Sequence, residues 1–260
     1  MSSPFRMFVT GTDTGVGKTQ ASCALLSLLA ERGAHPAPFK PYETGCRNLD
    51  APADACALRE AAKSEDPLEL ICPHRFREPL APGVAAHREG STPALSKTLV
   101  AYRAFSNRSL IAEGAGGLFV PIDARREMID LIELLGLPVL LVARAGLGTL
   151  NHTLLSLRAL AERRMPVRAV LLTCTTPARD PSQRDNAYWI HRRAGVRVLG
   201  PVPFRADPKA RHAVFRGALS PLLQGRSSHP RELHFAGNEL DAMKDPGENG
   251  FAWQKSSTST

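Results

Sequence analysis

The amino-acid sequence predicts an α/β fold with one mainly parallel sheet and helices on both of its faces. Short apolar runs that suit buried strands recur along the 260 residues, and helical patterns lie between most of them. Strands and helices that alternate in this way form parallel sheets, because each crossover helix returns the chain to the same end of the sheet. The length suits one large domain of this kind.

The elements are predicted from the spacing of apolar residues. The first strand is expected at residues 6–10 (RMFVT), and the later apolar runs occupy residues 109–112, 138–143, 167–173 and 196–200. Apolar residues recur at helical spacing in residues 20–32, 151–164 and 182–194. The first of these helices is followed by Gly33, a typical C-terminal cap.

Two stretches do not follow the alternation. Residues 67–93 are rich in proline and charge without a sustained period, which predicts an ordered excursion or a long loop near the site. Residues 225–260 are polar and end in KSSTST. We therefore predict one domain at residues 1–224 and a mobile polar tail at residues 225–260.

Composition limits the classes of function. The net charge is +8, but the arginines are spread along the chain, which argues against nucleic acid and favours a small polyanionic ligand. The five cysteines form no close pairs of the kind that chelate zinc, so we expect reduced thiols. No apolar stretch approaches the ~18 residues of a membrane span, and the start does not resemble a signal peptide. We expect a soluble, cytoplasmic protein without a nucleic-acid or membrane partner.

The most specific motif is VTGTDTGVGKT at residues 9–19, between the first strand and the first helix. Glycines and small residues let backbone N–H groups converge on phosphate oxygens, and the following helix adds its positive N-terminus. Lys18 is placed to reach the terminal phosphates, and Thr19 to offer its hydroxyl to magnesium. The loop is one residue longer than the standard spacing, since its first glycine is Gly11 and position 12 is Thr12.

This loop predicts a single P-loop NTPase domain that binds ATP with Mg²⁺. A glycine-rich turn with an incidental lysine is the alternative, and the flanking strand and helix argue against it. The predicted nucleotide contacts in the loop are Asp13, Thr14, Gly15, Val16, Gly17, Lys18 and Thr19. For Asp13 we expect no chemistry beyond capping or bracing the loop.

Two later motifs complete a family pattern: KPYETG at residues 40–45 and EGAGG at residues 113–117. The three motifs in this order resemble the dethiobiotin synthetases. The resemblance runs from about residue 7 to about residue 223 and includes REPLAPGVAA (77–86) and LGTLNHT (147–153). It implies a homodimer that closes the ureido ring of dethiobiotin from 7,8-diaminononanoate, carbon dioxide (bicarbonate) and ATP, with magnesium.

The resemblance also implies a set of site residues. Lys40, Lys18 and Thr14 would be catalytic, with the lysines gathering the carbamate and the γ-phosphate. The implied substrate contacts are Thr44, Gly116, Gly117, Leu147, Gly148 and Asn151. The implied magnesium ligands are Thr19, Asp54 and Glu113, all hard oxygen donors. The second group of nucleotide contacts is Thr173, Pro201, Val202 and Pro203.

Several of these residues also have an ordinary structural interpretation. Lys40 could be a surface lysine at a strand end, held extended by the following proline. Asp54 could belong to the first turn of a helix, where the helix dipole favours an acid, and Asp50 competes with it as a ligand. Glu43 could tune Lys40 or only pair with it in solvent.

Two further positions leave alternatives open. Asn151 or Thr149 could simply be the N-cap of a helix whose N–H groups otherwise receive the substrate's distant carboxylate. Thr173 stands where the family usually has an asparagine whose amide contacts the base, and one hydroxyl cannot reproduce a paired donor and acceptor. Backbone groups in GPVPFR (200–205) could still recognise adenine, so we expect ATP, with relaxed preference among nucleoside triphosphates as a hypothesis.

Two other functions use a similar ATPase core. Amidating synthetases of cobalamin precursors usually carry a glutaminase domain, for which this length leaves no room. Nucleotide-switched proteins of the partition or nitrogenase-iron-protein kind typically have a second lysine early in the loop, whereas this loop has no lysine before Lys18.

Overall fold

The computed structural model describes residues 3–224 together with Leu233 and Phe235. Its strands are β1 (Arg6–Gly11), β2 (Ala37–Phe39), β3 (Tyr42–Glu43), β4 (His74–Arg75), β5 (Leu110–Glu113), β6 (Val139–Arg144), β7 (Val167–Thr173) and β8 (Val198–Val202). Six of them form one parallel sheet in the order β2-β5-β1-β6-β7-β8, and β3 and β4 form a separate parallel pair.

Helices connect these strands. They are α1 (Lys18–Glu31), α2 (Ala53–Ala62), α3 (Leu68–Ile71), α4 (Pro82–Arg88), α5 (Leu95–Arg103), α6 (Met128–Leu135), α7 (Thr149–Glu162), α8 (Gln183–Ala194) and α9 (Pro208–Leu219), which runs into a short 3₁₀ turn at Ser220–Leu222.

Helices cover both faces of the main sheet. Helices α1, α2 and α9 share one apolar core with alternate strand residues such as Val9 and Leu140. Their neighbours Phe8 and Leu141 point to the opposite face, where they meet side chains from α4 to α8. Since the inner strands are buried on both faces, they need the continuous apolar runs seen in the sequence. The predicted α/β class with a parallel sheet is confirmed.

The predicted elements are present with small shifts of their ends. The strand predicted at 167–173 has the expected bounds, while those predicted at 109–112 and 138–143 lie one residue later and that at 196–200 two residues later. The helix predicted from residue 151 begins at Thr149 instead. Its N-cap is Gly148, at φ 90° and without a side-chain cap, so neither Thr149 nor Asn151 caps it.

Residues 67–93 form an ordered excursion and not a long loop. They contain α3, β4 and α4, and Pro82 opens α4 at a position where a proline costs no hydrogen bond. In the described part of the chain, no helix combines the length and apolarity needed to cross a bilayer.

The predicted tail lies outside the described residues except at two positions. Leu233 and Phe235 are partly buried against the core that contains α7, and the guanidinium carbon of Arg158 lies 5.7 Å from the centre of the Phe235 ring.

Candidate active site

The site forms where the carboxyl ends of three neighbouring strands meet. The phosphate loop follows β1, Lys40 follows β2, and Glu113 ends β5, which lies between those two strands. Ligands of open parallel sheets bind at this edge, because loops from adjacent strands leave a crevice there. The fold thus brings together residues that are far apart in the sequence.

The phosphate loop is shaped by its glycines. Gly17 is the N-cap of α1 at φ 100°, and a Cβ there would lie 3.2 Å from the Phe215 ring. Lys18 is the first residue of α1, and its ammonium donates to the Asp13 carbonyl at 2.8 Å. Burial and the neighbouring Lys40 charge lower the Lys18 pKa to about 8.

Asp13 braces this loop. Its carboxylate accepts the Thr14 N–H at 2.7 Å and pairs with Arg144 at 2.9 Å. Arg144 ends β6, so the contact ties the loop to the neighbouring strand.

Lys40 is the centre of a buried charge cluster. It is 4% exposed, and its ammonium lies 2.5 Å from Glu113 Oε1 and 3.0 Å from Asp54 Oδ2. Burial alone would lower the Lys40 pKa, but the two carboxylates outweigh it and raise the pKa above its usual value. Burial likewise disfavours the Asp54 carboxylate, yet Lys40 holds the Asp54 pKa below its usual value. Lys40 is therefore not a surface lysine.

The oxygen atoms beside Lys40 suit a magnesium ion. The Thr19 hydroxyl donates to Glu113 Oε1 at 3.0 Å, and Asp54 is close enough to share Lys40 with Glu113. Glu113 Oε2 is buried and has no hydrogen-bond partner among the described residues. A buried acceptor of this kind calls for a cation or water. A hydroxyl and two carboxylates match the preference of Mg²⁺ for a few oxygen ligands with several retained waters.

In the described part of the chain, this site included, no group of three or more His, Cys, Asp or Glu side chains is placed to hold a metal. The five cysteines are free thiols.

Glu43 makes contacts that the sequence did not indicate. It is 5% exposed and does not pair with Lys40 in solvent. Instead, its two carboxylate oxygens accept the backbone N–H groups of Asp54 and Ala55, each at 2.9 Å. Burial raises the Glu43 pKa despite these hydrogen bonds. Asp54 is thus both a residue of the first helical turn and a partner of Lys40, whereas Asp50 is exposed and outside the cluster.

These residues line a cavity of about 900 Å³. Its lining includes Thr14, Gly15, Gly17, Lys18, Thr19, Lys40, Thr44, Asp54, Glu113 and Gly116. Residues 79–82, from the proline-rich excursion, also contribute to the wall, so the excursion does lie near the site.

Other predicted contacts lie outside the described lining of this cavity. Gly117 packs under the phosphate loop, since a Cβ there would lie 3.4 Å from the carbonyl oxygens of Gly11 and Thr12. Leu147, Gly148 and Asn151 lie at the start of α7. Leu147 is 90% exposed, and its N–H donates to Asp180 at 2.6 Å.

The second group of nucleotide contacts is also separate. Thr173 is 2% exposed, and its hydroxyl donates to the Val16 carbonyl at 2.7 Å, so it supports the phosphate loop from below. Val202 is buried and accepts the Cys174 N–H at 2.9 Å, whereas Pro201 and Pro203 are exposed.

Three contacts escaped the sequence analysis. Tyr42 lines the cavity from inside the KPYETG motif, which could have indicated it. Arg144 is a charged residue at the end of an apolar strand, which is a weaker indication of a functional contact than a place inside a motif. Phe215 lies against Gly17 from a helix almost two hundred residues later, and no local pattern predicts that contact.

Comparisons with known proteins identify similar sequences over most of the chain. A family model described as "AAA domain" matches residues 6–211. The "ATP-dependent dethiobiotin synthetase BioD" of Anaeromyxobacter dehalogenans strain 2CP-C is 44% identical over 220 residues, which is 84% of this chain and 98% of the relative. The protein of the same name from Bacillus subtilis strain 168 is 34% identical over 202 residues, 77% of this chain and 87% of the relative.

A solved structure of chloroplast FtsY from Physcomitrella patens matches with a TM-score of 0.43 at 14% identity, covering 83% of this chain and 66% of that one, and adds nothing about function. The extent and identity of the match to the two BioD proteins, together with the three motifs around the cavity, show that this chain belongs to the dethiobiotin synthetase family.

Proposed function

We propose that the protein is an ATP-dependent dethiobiotin synthetase, which closes the ureido ring from 7,8-diaminononanoate, carbon dioxide and ATP. The observation that carries the proposal is the buried Lys40 beside the phosphate loop, 2.5 Å from Glu113. A reaction between two anions needs such a fixed cation at the point where they meet. The BioD relatives carry the same activity in their name.

The chemistry explains why cations are required. One amine of the substrate forms a carbamate with carbon dioxide, and a carbamate oxygen attacks the γ-phosphorus of ATP as ADP leaves. The second amine then attacks the carbamoyl carbon, a C–N bond forms, the C–O bond to phosphate breaks, and the amine loses a proton. Without phosphorylation the leaving group would be oxide, which is unusable at neutral pH.

The cavity offers a group for each anion. Lys18 can leave the Asp13 carbonyl for the terminal phosphates, and Lys40, which lines the same cavity, can orient the carbamate in line. Magnesium, held by Thr19, Asp54 and Glu113, would neutralise phosphate charge. Thr14 and Thr44 line the same cavity and can hydrogen-bond the substrate or its carbamate.

A homodimer would complete the substrate site. The start of α7 is not part of the described cavity lining, and Leu147, just before the helix, and Leu155, within it, are 90% and 57% exposed. These exposed side chains support a subunit interface at α7, where helix N–H groups could receive the carboxylate of a substrate bound to the other subunit. Light scattering on the purified protein should give twice the chain mass.

We place the enzyme in the cytoplasm, where ATP is available.

Base selection is proposed to be relaxed. The Thr173 hydroxyl already donates to Val16, so it is not free to donate to a base. Initial rates with ATP, GTP, CTP and UTP at equal concentration test this. Rates within about tenfold of each other would support relaxed selection, since a lost bidentate contact is worth 1–3 kcal/mol, and turnover with ATP alone would contradict it.

The function itself is tested with purified protein, the diamine, bicarbonate, Mg²⁺ and ATP. Dethiobiotin is followed by mass and phosphate by a colorimetric assay. We expect one phosphate per dethiobiotin, and loss of both in Lys40→Met, with Lys63→Met as a matched control at an exposed lysine. Nucleotide binding by the Lys40→Met protein shows that it is folded.

The other outcomes distinguish the alternatives. Phosphate release that depends on the diamine but yields no dethiobiotin would mean that the ATPase core is right and the substrate wrong. Slow ATP hydrolysis that ignores the diamine would indicate a nucleotide switch.

A further inference from the structure

We infer that Glu43 is a positioning residue that holds Asp54 in the site by anchoring the N-terminus of α2. The helix begins at Ala53 after Pro52, an N-cap residue whose side chain makes no capping hydrogen bond. The first N–H groups of a helix need acceptors, and the N-cap side chain commonly supplies one. Here the acceptors come from Glu43, eleven and twelve residues earlier in the chain.

Glu43 is well placed to hold a helix still. It belongs to β3, whose pairing with β4 fixes the backbone, and its carbonyl accepts the Phe76 N–H at 2.9 Å. The side chain is 5% exposed and reaches both amides at 2.9 Å. A carboxylate also suits the positive end of the helix.

Glu43, Asp54, Lys40 and Glu113 are connected by a continuous series of contacts. Glu43 lies three residues after Lys40, and the helix it anchors returns Asp54 to 3.0 Å from the Lys40 ammonium. Lys40 in turn contacts Glu113 at 2.5 Å. A shift of the first turn of α2 would therefore move one candidate metal ligand away from the other. Only the assignment of Asp54 as a ligand rests on the proposed function.

The test measures metal binding without turnover. Mn²⁺ is titrated into the full-length protein in the absence of nucleotide, and free Mn²⁺ is read by electron paramagnetic resonance. We expect Glu43→Ala to weaken Mn²⁺ binding about tenfold, the lower end of the effect of removing a group that orients a ligand. Glu43→Gln, which keeps one acceptor oxygen, should fall between Glu43→Ala and the parent protein.

Two further variants separate positioning from stability. Glu127→Ala removes the capping box of α6, far along the chain, and should lower stability without changing Mn²⁺ affinity. Pro52→Ser, added to Glu43→Ala, provides a local cap. It should restore thermal stability while Mn²⁺ binding stays weak, because the link to β3 is still missing.

The inference is overturned if Glu43→Ala binds Mn²⁺ like the parent protein, if Glu127→Ala shifts Mn²⁺ binding equally, or if Pro52→Ser restores the affinity. Because the assay contains no diamine, a failure of the proposed reaction would leave this comparison intact.

Discussion

Lys18 and Lys40 are both buried at the site, but their partners differ in kind. Lys18 rests on a neutral backbone carbonyl, and burial lowers its pKa to about 8. Lys40 lies between two carboxylates that raise its pKa despite its burial. The carboxylates thus favour the charged form of Lys40, whereas the ammonium of Lys18 has no ion pair with a carboxylate among the described residues.

Thr173 provides a test of the support beneath the phosphate loop. Thr173→Val has the same shape but cannot donate to Val16, which leaves that buried carbonyl without this donor. Losing such a bond costs about 1 kcal/mol, so we expect ATP affinity to fall about fivefold. Calorimetric ATP titration measures it, with Thr173→Ser as the control that keeps the hydroxyl. Equal affinity in the valine and serine variants would contradict this role.

His74 should make stability depend on pH. It is 8% exposed, stacks on Tyr42 and bonds Thr98 at 3.0 Å. Burial, with help from Lys97, lowers its pKa to about 4. Between pH 4 and 6.5 the unfolded chain binds the proton and the folded protein does not, so stability falls as pH falls through this window, by at most about 3 kcal/mol.

Urea unfolding at pH 7 and pH 4.5 measures this effect. His74→Gln, which keeps a polar group near Thr98, should lose less stability between the two pH values than the parent protein. An equal loss in both proteins would rule out His74 as the cause.

Single residues differed in how far the sequence could predict them. The roles of Lys18 and Thr19 could be predicted, because the motif places both residues directly after the glycine-rich loop, at the start of the following helix. Glu43 could not be predicted, because its role depends on a helix start more than ten residues away and on burial that no pattern in KPYETG reveals.

At the scale of elements, the junction between β1 and α1 depends on a glycine with a left-handed backbone. Gly17 adopts φ 100° at the helix start and lies against α9 through Phe215. A side chain there meets two separate costs, the left-handed backbone and the aromatic ring. The loop and α9 are therefore fitted to each other.

Gly17→Ala should lower the free energy of unfolding by about 2 kcal/mol and weaken ATP binding more than tenfold, since the loop must move. Gly217→Ala is the matched control, because this glycine lies inside α9 with open space around its Cα. It should raise stability by about 0.5–1 kcal/mol. Urea unfolding and ATP titration measure both. A Gly17→Ala protein as stable as the parent would show that the loop adapts freely.

Elements were predictable where they are long and buried on both faces. The strand at Val167–Thr173 was predicted with its bounds, because apolar residues dominate it and five buried residues follow Arg168 without a break. The helix α6, with eight residues, and the two-residue strands are shorter than the window in which a period can be recognised. They form because the surrounding structure provides partners.

For the molecule as a whole, the boundary after residue 224 is a prediction that truncation can test. A protein ending at residue 224 should keep its turnover, because the cavity is built from residues 14–120. It should lose about 1–3 kcal/mol of stability, because Leu233 and Phe235 no longer pack against the core.

Unfolding and turnover of the truncated protein are compared with those of full-length Phe235→Ala. The point variant should show part of the stability loss and normal turnover. Inactivity of a folded truncated protein would mean that the terminal segment belongs to the working enzyme.

The order of the sheet has a consequence for synthesis on the ribosome. β1 pairs with β5 and β6, and β2 pairs with β5, so the two strands made first do not pair with each other. Until residue 113 has left the exit tunnel, β1 and β2 lack their neighbours, and their apolar residues stay exposed to other chains. The emergence of β5 joins both strands and brings Glu113 to Lys40 in the same step. The nascent chain can thus form the β2-β5-β1 part of its sheet and the contact between Lys40 and Glu113 together, and a ribosome stalled before that point would hold a chain prone to aggregation.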